Sequence, residues 1–592
     1  MQLRGFEIGP KTAQKVANTW GAGAMTKLAA NPWELYRDID GIGFLTADKI
    51  AMSLGKRAND PNRLDAAMSY ALDEATQEIG HMWISRSDLI ARATEVLEST
   101  TAPIRPAEIE ARFDPWQQFT KVKGGKYCVV VEVDGQQRIY PVPLWNAEKR
   151  IVEKVSELIV KAPTAPLATD EEIKAAMAAS GLEEDASQFA ALVEATHGGF
   201  TILTGKPGCG KTTITKTYLD LAEKKAARIL CCSPTGKAAD RFREATGRSA
   251  STIHSLLIAA EKKARENDGN GEGPGRAVLD CDILIVDECS MIDAKLMRQL
   301  LDALEPGTRV LFVGDADQLP PVDPGQPFAD LISSGCVPTA RLTTIHRQAA
   351  NSGIIAAAHA ILGGKTPKQD DLKPDFKYTK ISEPRDEDEK RDVARAAADG
   401  IVRFVVDEIP KMHGSDGTPF NPIEDAMVLT PRKDGILGTK NLNKLLKEAL
   451  NPSQPDRHNA GAFFKFKDWV LDIGDRVIHT KNNRELGVYN GNVGVVVGFD
   501  TDIDPDSGAR IKVAVVKIAD GANGRIVMYD KRTAGAELQL AYAITTHKSQ
   551  GSEFKASIVL CAKEHWKLLE RRLIYTALTR GKKFVHLFAQ PY

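Results

Sequence analysis

The stretch Phe200-Thr-Ile-Leu-Thr-Gly205 runs directly into Lys206-Pro-Gly208-Cys209-Gly210-Lys211-Thr212-Thr213, an apolar run followed by Gly-x-x-x-x-Gly-Lys-Thr. No other segment constrains the fold so tightly. A buried strand must fix the start of the loop. Gly205, Gly208 and Gly210 allow the backbone to curl so that successive N–H groups converge on phosphate oxygens. The helix-compatible Thr-Ile-Thr-Lys-Thr-Tyr-Leu that follows aims its positive end at the same phosphates. Lys211 then reaches the β- and γ-phosphates, and Thr212 offers a hydroxyl to Mg²⁺. This loop alone identifies a nucleotide-phosphate site; the residues that accompany it decide the kind.

The chain of 592 residues has room for about four domains. Its formal net charge of −1 excludes a global field drawing it onto an acidic polymer, so nucleic-acid contacts must come from local patches. One basic patch lies near the end, where Lys563, Lys567, Arg571, Arg572, Arg580, Lys582 and Lys583 outnumber Glu564 and Glu570. The same charges would also serve a solvated helix face. The 8 cysteines are scattered without a Cys-x-x-Cys pair, which argues against zinc and for a reducing compartment. No apolar run approaches the ~18 residues of a membrane span, and the N-terminus has no apolar signal region. A cytoplasmic protein without membrane contact is expected.

Two glycine turns open the chain, Ile8-Gly9-Pro10-Lys11 and Gly41-Ile42-Gly43-Phe44, each running into a helical pattern. Such turns can offer backbone N–H groups to a phosphate without reading a base. They would equally serve as packing hairpins. The spacing then predicts helices over 64–79 and 87–97, a β-hairpin turning at Asp134-Gly135, and a long helix over 148–161 before a Pro-bearing linker. Gln188 precedes the phosphate loop by one short helix; its amide both donates and accepts, as matching an adenine edge requires.

From 228 onward strands and helices alternate, which implies a doubly wound α/β sheet with ligands at the carboxyl ends of its strands. Asp282-Ile-Leu-Ile-Val-Asp287-Glu288 ends a buried strand in two carboxylates. Asp287 is placed to hold Mg²⁺ and Glu288 to polarise an attacking water. Residues 256–280 are polar and Gly-rich, either a mobile excursion or a wedge between duplex strands. Gln318 follows another strand, and Arg347 lies just past the sheet. Residues 365–422 are charged, read as a helix and loops without chemistry. A second α/β pattern starts at Ala426, with strands expected at 474–480, 540–545, 557–561 and 584–589 but no phosphate loop. The Val- and Gly-rich segment 490–537 between them predicts a small inserted β-barrel. Thr545-Thr546-His547-Lys548-Ser549-Gln550-Gly551-Ser552-Glu553 and Tyr575-Thr576-Ala577-Leu578-Thr579-Arg580-Gly581 close the set.

In this order and spacing the motifs resemble a superfamily 1 DNA helicase of the RecD-like branch, over nearly the whole chain. The opening turns resemble tandem helix-hairpin-helix modules, the first with Glu7 where a leading glycine is expected. The resemblance implies an α/β fold of two RecA-like domains that clamp ATP and Mg²⁺ between them. It assigns adenine to Gln188, phosphates to Gly208, Cys209, Gly210, Lys211, Thr212 and Thr213, and metal to Thr212 and Asp287. It makes Glu288 the catalytic acid, Gln318 the γ-phosphate sensor, Arg347 and Arg580 the arginine fingers, and Glu553 a ribose contact. DNA contacts fall to Thr235, Lys237, Thr252, His254, Thr546, His547 and Ser549. It further implies 5′→3′ movement, a Src-homology-like barrel gripping the strand, and a pin within 256–280.

The resemblance suggests tandem hairpins over 1–58; the helices followed by a hairpin suggest a winged-helix-like module over 59–147, and the long helix with its Pro-bearing end a linker helix over 148–175. The first RecA-like domain spans 176–345; the second takes 346–482 and 541–592, interrupted by the barrel at 483–540. Expected partners are single-stranded DNA and duplex junctions, with single-strand-binding or replication and repair proteins as further candidates, and a monomer as the working state. Longer members of the branch carry a further segment ahead of the hairpins, so docking through such a segment is not expected. Cys209 replaces a small hydroxyl residue. It reads either as a tolerated small side chain or as a redox-sensitive thiol whose thiolate Lys211 would favour. Competing functions are a translocase that remodels nucleoprotein complexes and an ATP-switched DNA-binding scaffold. No spaced carboxylate cluster suggests nuclease activity.

Overall fold

The computed structural model describes residues 10–590 except 101, 120, 123–124, 182–184, 226, 268–276, 344–351, 368–372, 415, 457–460, 484, 504–507 and 519–523. Ile8, Gly9, Arg347 and the middle of the expected pin lie outside the described residues. The chain divides into two compact units, one made chiefly of Met1–Ser156 and one of most of Glu157–Tyr592.

The first unit is mainly helical. Gly41 adopts φ +84, and Gly43 begins the helix Phe44–Ser53. Lys15, on the helix Pro10–Trp20, donates through Nζ to the carbonyl of Asp40 at 2.9 Å and so holds the second turn. The expected helix over 64–79 is Pro61–Asp73 followed by a wider turn at Glu74–Glu78. Its start is fixed by proline at the first helical position and by the Asp60 side chain accepting from Asn62 N–H. Ser85 caps Arg86–Glu98 in the same manner. The hairpin Cys128–Val133 to Gln136–Pro141 turns at Asp134 and Gly135, both with positive φ, the geometry a two-residue hairpin favours.

At the centre of this unit a guanidinium is buried whole. Arg63 is 0% exposed, and its Nε and Nη2 clasp Asp48 at 2.7 and 2.9 Å. Nη1 donates to the carbonyls of Ala58 and Ala102, Nη2 to Thr100, and Trp33 Nε1 donates to Asp48 at 2.8 Å. Removing one partner strands a charge away from water. Asp48→Ala is expected to destabilise the unit by about 3–5 kcal/mol, read from denaturant unfolding followed by tryptophan fluorescence. A loss below about 1 kcal/mol, the range of an exposed pair, would show that the arginine relaxes to solvent.

The second unit contains two all-parallel sheets. The first has the strand order Thr339–Leu342, Phe200–Gly205, Arg309–Gly314, Ile283–Val286, Ile229–Ser233, Ser251–Thr252. Helices cover both faces, so its central strands read as continuous apolar runs. Ile283–Val286 is buried at every residue. The second sheet runs Phe376–Lys380, Gly581–Ala589, Phe554–Cys561, Ala426–Thr430, Ala543–Thr545. Each sheet is the centre of a RecA-like lobe. An antiparallel five-stranded sheet interrupts the second lobe, in the order Arg525–Asp530, Arg510–Ile518, Val493–Ile503, Arg476–His479, Leu538–Leu540.

Three expectations need correction. Arg476–His479 pairs within the inserted sheet and not in the second parallel sheet. Within 365–422, Phe376–Lys380 is an edge strand of the second lobe, paired with the last strand. The polar segment after 256 begins as a helix, Ile253–Asn267, because Ile253 and Leu257 anchor one face in the core. Among the described residues no helix is long and apolar enough to cross a membrane.

Candidate nucleotide site and strand contacts

The carboxyl ends of the first sheet's strands converge on a cavity of about 420 Å³. Gly208 and Gly210 take φ +80 and +83, conformations that L side chains resist, and Gly210 leads straight into the helix Lys211–Lys224. Lys206, Gly208, Gly210, Lys211, Thr212 and Thr213 all line the cavity. Lys211 Nζ donates to the carbonyls of Gly205 and Lys206, the second at 3.2 Å. The loop's own carbonyls therefore hold the ammonium at the cavity.

Asp287 and Glu288 reach the same cavity from the strand Ile283–Val286. Burial, reinforced by the charge of Glu288, pushes Asp287 up to about 6, while Arg241 and Lys211 pull against it. Glu288 holds a left-handed backbone with φ 56, one of two such non-glycine residues among those described. That conformation costs about 1–3 kcal/mol and turns the carboxylate out of the strand direction toward the cavity. Asp315, 2% exposed, ends the neighbouring strand Arg309–Gly314, and Gln318 Nε2 lies 3.5 Å from its carboxylate.

The second lobe supplies the remaining wall with Glu553, Thr579 and Arg580. Arg580 is 2% exposed; its Nε and Nη1 donate to the carbonyls of Thr576 and Ser552 at 3.1 and 3.2 Å. Burial lowers its pKa and the nearby Glu288 opposes that, yet a guanidinium stays charged. Tyr575 Oη donates to Asp315 at 2.7 Å, and Leu319 N–H donates to Thr576 Oγ1 at 2.9 Å. These bonds tie the two lobes directly beneath the cavity. Arg241, on the helix Gly236–Thr246, ion-pairs with Glu553 and lies 3.7 Å from Glu288. Burial works to raise Glu553, but Arg241 and Lys582 outweigh it and hold the carboxyl below its ordinary range.

Arg241, Asp315 and Tyr575 were not foreseen as site residues. Asp315 carried a usable signal, since it ends an apolar strand as Asp287 does. Gln188 is buried at the start of the helix Ala186–His197 and is not among the cavity's lining residues. Cys209 is corrected as a redox candidate: it is 2% exposed, and burial raises its thiol despite Lys211. Among the described residues no cluster of three His, Cys, Asp or Glu side chains could hold a metal alone. The oxygen donors of Thr212 and Asp287 on one cavity do fit Mg²⁺, which takes one or two protein ligands and completes its shell with phosphate and water.

The expected strand contacts divide by burial. His254 and His547 are exposed, and Lys237 Nζ lies 5.4 Å from the Phe554 ring centroid. Thr235 Oγ1 caps its helix by accepting from Ala238 N–H, and Thr252 Oγ1 accepts from Ser255 N–H. Thr546 and Ser549 are corrected as side-chain contacts: they are 1% and 0% exposed. Ser549 Oγ donates to the Thr546 carbonyl at 2.7 Å. The Ser549 hydroxyl thereby closes the turn that presents His547.

Comparison with known proteins accords with this arrangement. Family profiles match as an ATP-dependent RecD2 DNA helicase HHH domain over residues 1–83, an AAA domain over 183–375, an ATP-dependent RecD-like DNA helicase SH3 domain over 442–514, and a UvrD-like helicase C-terminal domain over 540–588. The ATP-dependent RecD2 DNA helicase of Deinococcus radiodurans is 34% identical over 583 residues, 98% of this chain and 73% of the relative. The RecBCD enzyme subunit RecD of Mycolicibacterium smegmatis is 28% identical, covering 75% of this chain and 76% of its own. The Pif1 helicase of Candida albicans aligns with a TM-score of 0.40 at 18% identity, over 69% of this chain and 94% of that one. With the phosphate loop, the paired carboxylates and the second-lobe arginine on one cavity, the chain belongs to the RecD2 family of ATP-dependent DNA helicases.

Proposed function

We propose that the chain hydrolyses ATP to move 5′→3′ along single-stranded DNA and to separate the duplex ahead of it. The observation that carries this reading is one cavity lined by Lys211, Asp287 and Glu288 from the first lobe and by Glu553 and Arg580 from the second. Lys211 and the loop N–H groups would take the phosphates, Glu288 would orient and deprotonate the attacking water, and Gln318 would report the γ-phosphate to the lobe interface. Arg580, and Arg347 from outside the described residues, would stabilise charge building on the transferred phosphoryl oxygens. Gln188 would meet the adenine and Glu553 the ribose. Thr212 and Asp287 would hold Mg²⁺, which neutralises charge on the β- and γ-phosphates. Because the arginine and the general base belong to different lobes, turnover demands that the lobes close. Closing and parting while Thr235, Lys237, Thr252, His254 and His547 hold a strand moves the protein along it. The direction follows the branch that the motifs resemble.

The strand and the duplex junction are the proposed partners, and the working unit is proposed to be a monomer. The domain limits given by the sequence are proposed with it, except that the inserted barrel takes in Arg476–His479. A cytoplasmic location is supported by the absence of disulfides among the described cysteines. Unwinding assays on duplexes with a 5′ or a 3′ single-stranded tail test the proposal. ATP-dependent separation of the 5′-tailed substrate alone is expected. Preference for the 3′ tail would overturn the polarity, and ATP-driven stripping of a blocked strand without unwinding would leave a translocase.

A further inference from the structure

We propose that Arg241 is a positioning residue that couples strand binding to ATP hydrolysis, acting through the helix Gly236–Thr246. This inference rests on the ATPase reading of the same cavity. The helix begins at Thr235 and Lys237, two of the residues proposed to meet the strand. Arg241 lies about 6–9 Å further along the axis, where the helix borders the nucleotide cavity through Arg241, Phe242 and Ala245. One rigid element therefore has its N-terminus on the proposed strand path and its flank beside the general base.

Four contacts bind this helix to the second lobe and its inserted barrel. A Cβ on Gly236 would lie 2.4 Å from the Tyr489 ring, so hydrogen alone fits there. Lys237 sits against Phe554, and the Gly551 backbone approaches Thr235 Oγ1 so closely that a Cβ would lie 3.3 Å away. Arg241 pairs with Glu553, whose carboxylate Lys582 also holds at 3.0 Å. The other face of the helix is anchored in the first lobe by Ala239 and Phe242, both buried in its core. A rod seated in this way cannot shift at its strand end without re-aiming Arg241.

Two carboxylates compete for that guanidinium. Glu553 holds it, and Glu288 stands 3.7 Å away. A guanidinium donates along fixed directions in its plane, so an acid that pairs with it also takes its orientation from it. The share of Arg241 taken by each acid therefore sets how the Glu288 carboxylate is aimed at the attacking water, and strand binding at Thr235 and Lys237 changes that share. Coupling of this kind between two sites typically amounts to about 5–150-fold.

The test measures ATP turnover with and without saturating oligo-dT in the full chain, for Arg241→Ala, Arg241→Lys and Arg243→Ala. Arg243, half-exposed, lies on the same helix, and its one described ion pair is with Asp240. Stimulation by oligo-dT is expected to fall about tenfold in Arg241→Ala. Arg241→Lys, which keeps the charge without the fork that spans two acids, should lose most of it too, and Arg243→Ala should retain it. Affinities for fluorescent ADP and for oligo-dT should stay near those of the parent. Retained stimulation in Arg241→Ala overturns the inference. So does a loss matched by weaker ADP or oligo-dT binding, which would make Arg241 a ligand contact. Absence of stimulation in the parent protein would instead remove the DNA-stimulated ATPase reading, and this inference with it.

Discussion

Glu288→Gln is expected to slow strand-stimulated ATP turnover by about 10²–10⁴-fold, the range for loss of a positioned general base. Glutamine matches glutamate in size, so the packing around the left-handed residue at φ 56 survives. It removes the negative charge that accepts a proton. The phosphate loop is untouched, so ADP affinity should change little. The neighbouring acid responds as well. Glu288 contributes to raising Asp287, so neutralising it should bring Asp287 down from about 6 toward ordinary carboxylate values. Steady-state hydrolysis beside a fluorescent-ADP titration separates the two effects. Turnover within about threefold of the parent, set against that loss, would show that another group activates the water. The left-handed backbone would then be strain without a catalytic purpose.

The parts of this site legible in the sequence are those whose chemistry is local. The phosphate loop needs an apolar strand, three glycines and Lys-Thr within fourteen residues, and all are contiguous from Phe200 to Thr213. Asp287 and Glu288 stand out because paired acids rarely end an apolar strand without use. Arg241 and Tyr575 give no such signal. Their partners Glu553 and Asp315 are 312 and 260 residues away, and an arginine on a polar helix face looks solvated until the fold returns an acid to it.

Strand membership fails for a related reason. Arg476–His479 is buried throughout, so its burial suits either a two-sided parallel sheet or a barrel core. Only its antiparallel register with Val493–Ile503 decides. Phe376–Lys380 buries Phe376 alone, as an edge strand does, and leaves no apolar run to read. Thr546 and Ser549 show the opposite hazard. A hydroxyl within a recognised motif invites a ligand role, whereas here both residues are buried and the Ser549 hydroxyl satisfies a backbone carbonyl of a tight turn.

Removing the second lobe's arginine from the cavity should cost at least as much as removing the base. Arg580→Ala is expected to lower ATP turnover by about 10³–10⁵-fold, the range for an arginine that stabilises phosphoryl-transfer charge. Unwinding should be lost with it, while oligo-dT affinity persists because Arg580 lies at the nucleotide cavity. The guanidinium also satisfies the buried carbonyls of Thr576 and Ser552, so truncation should carry a stability cost of about 1–3 kcal/mol. Arg580→Lys separates the two roles. Lysine keeps a positive charge and can still donate to one carbonyl, but a single ammonium cannot reproduce the planar fork. Its thermal midpoint should recover toward that of the parent while turnover stays low. If turnover instead recovers in step with stability, Arg580 acts by holding the Thr576–Ser552 corner in place. Charge on the γ-phosphoryl group would then have to be met by Lys211 and residues outside this corner.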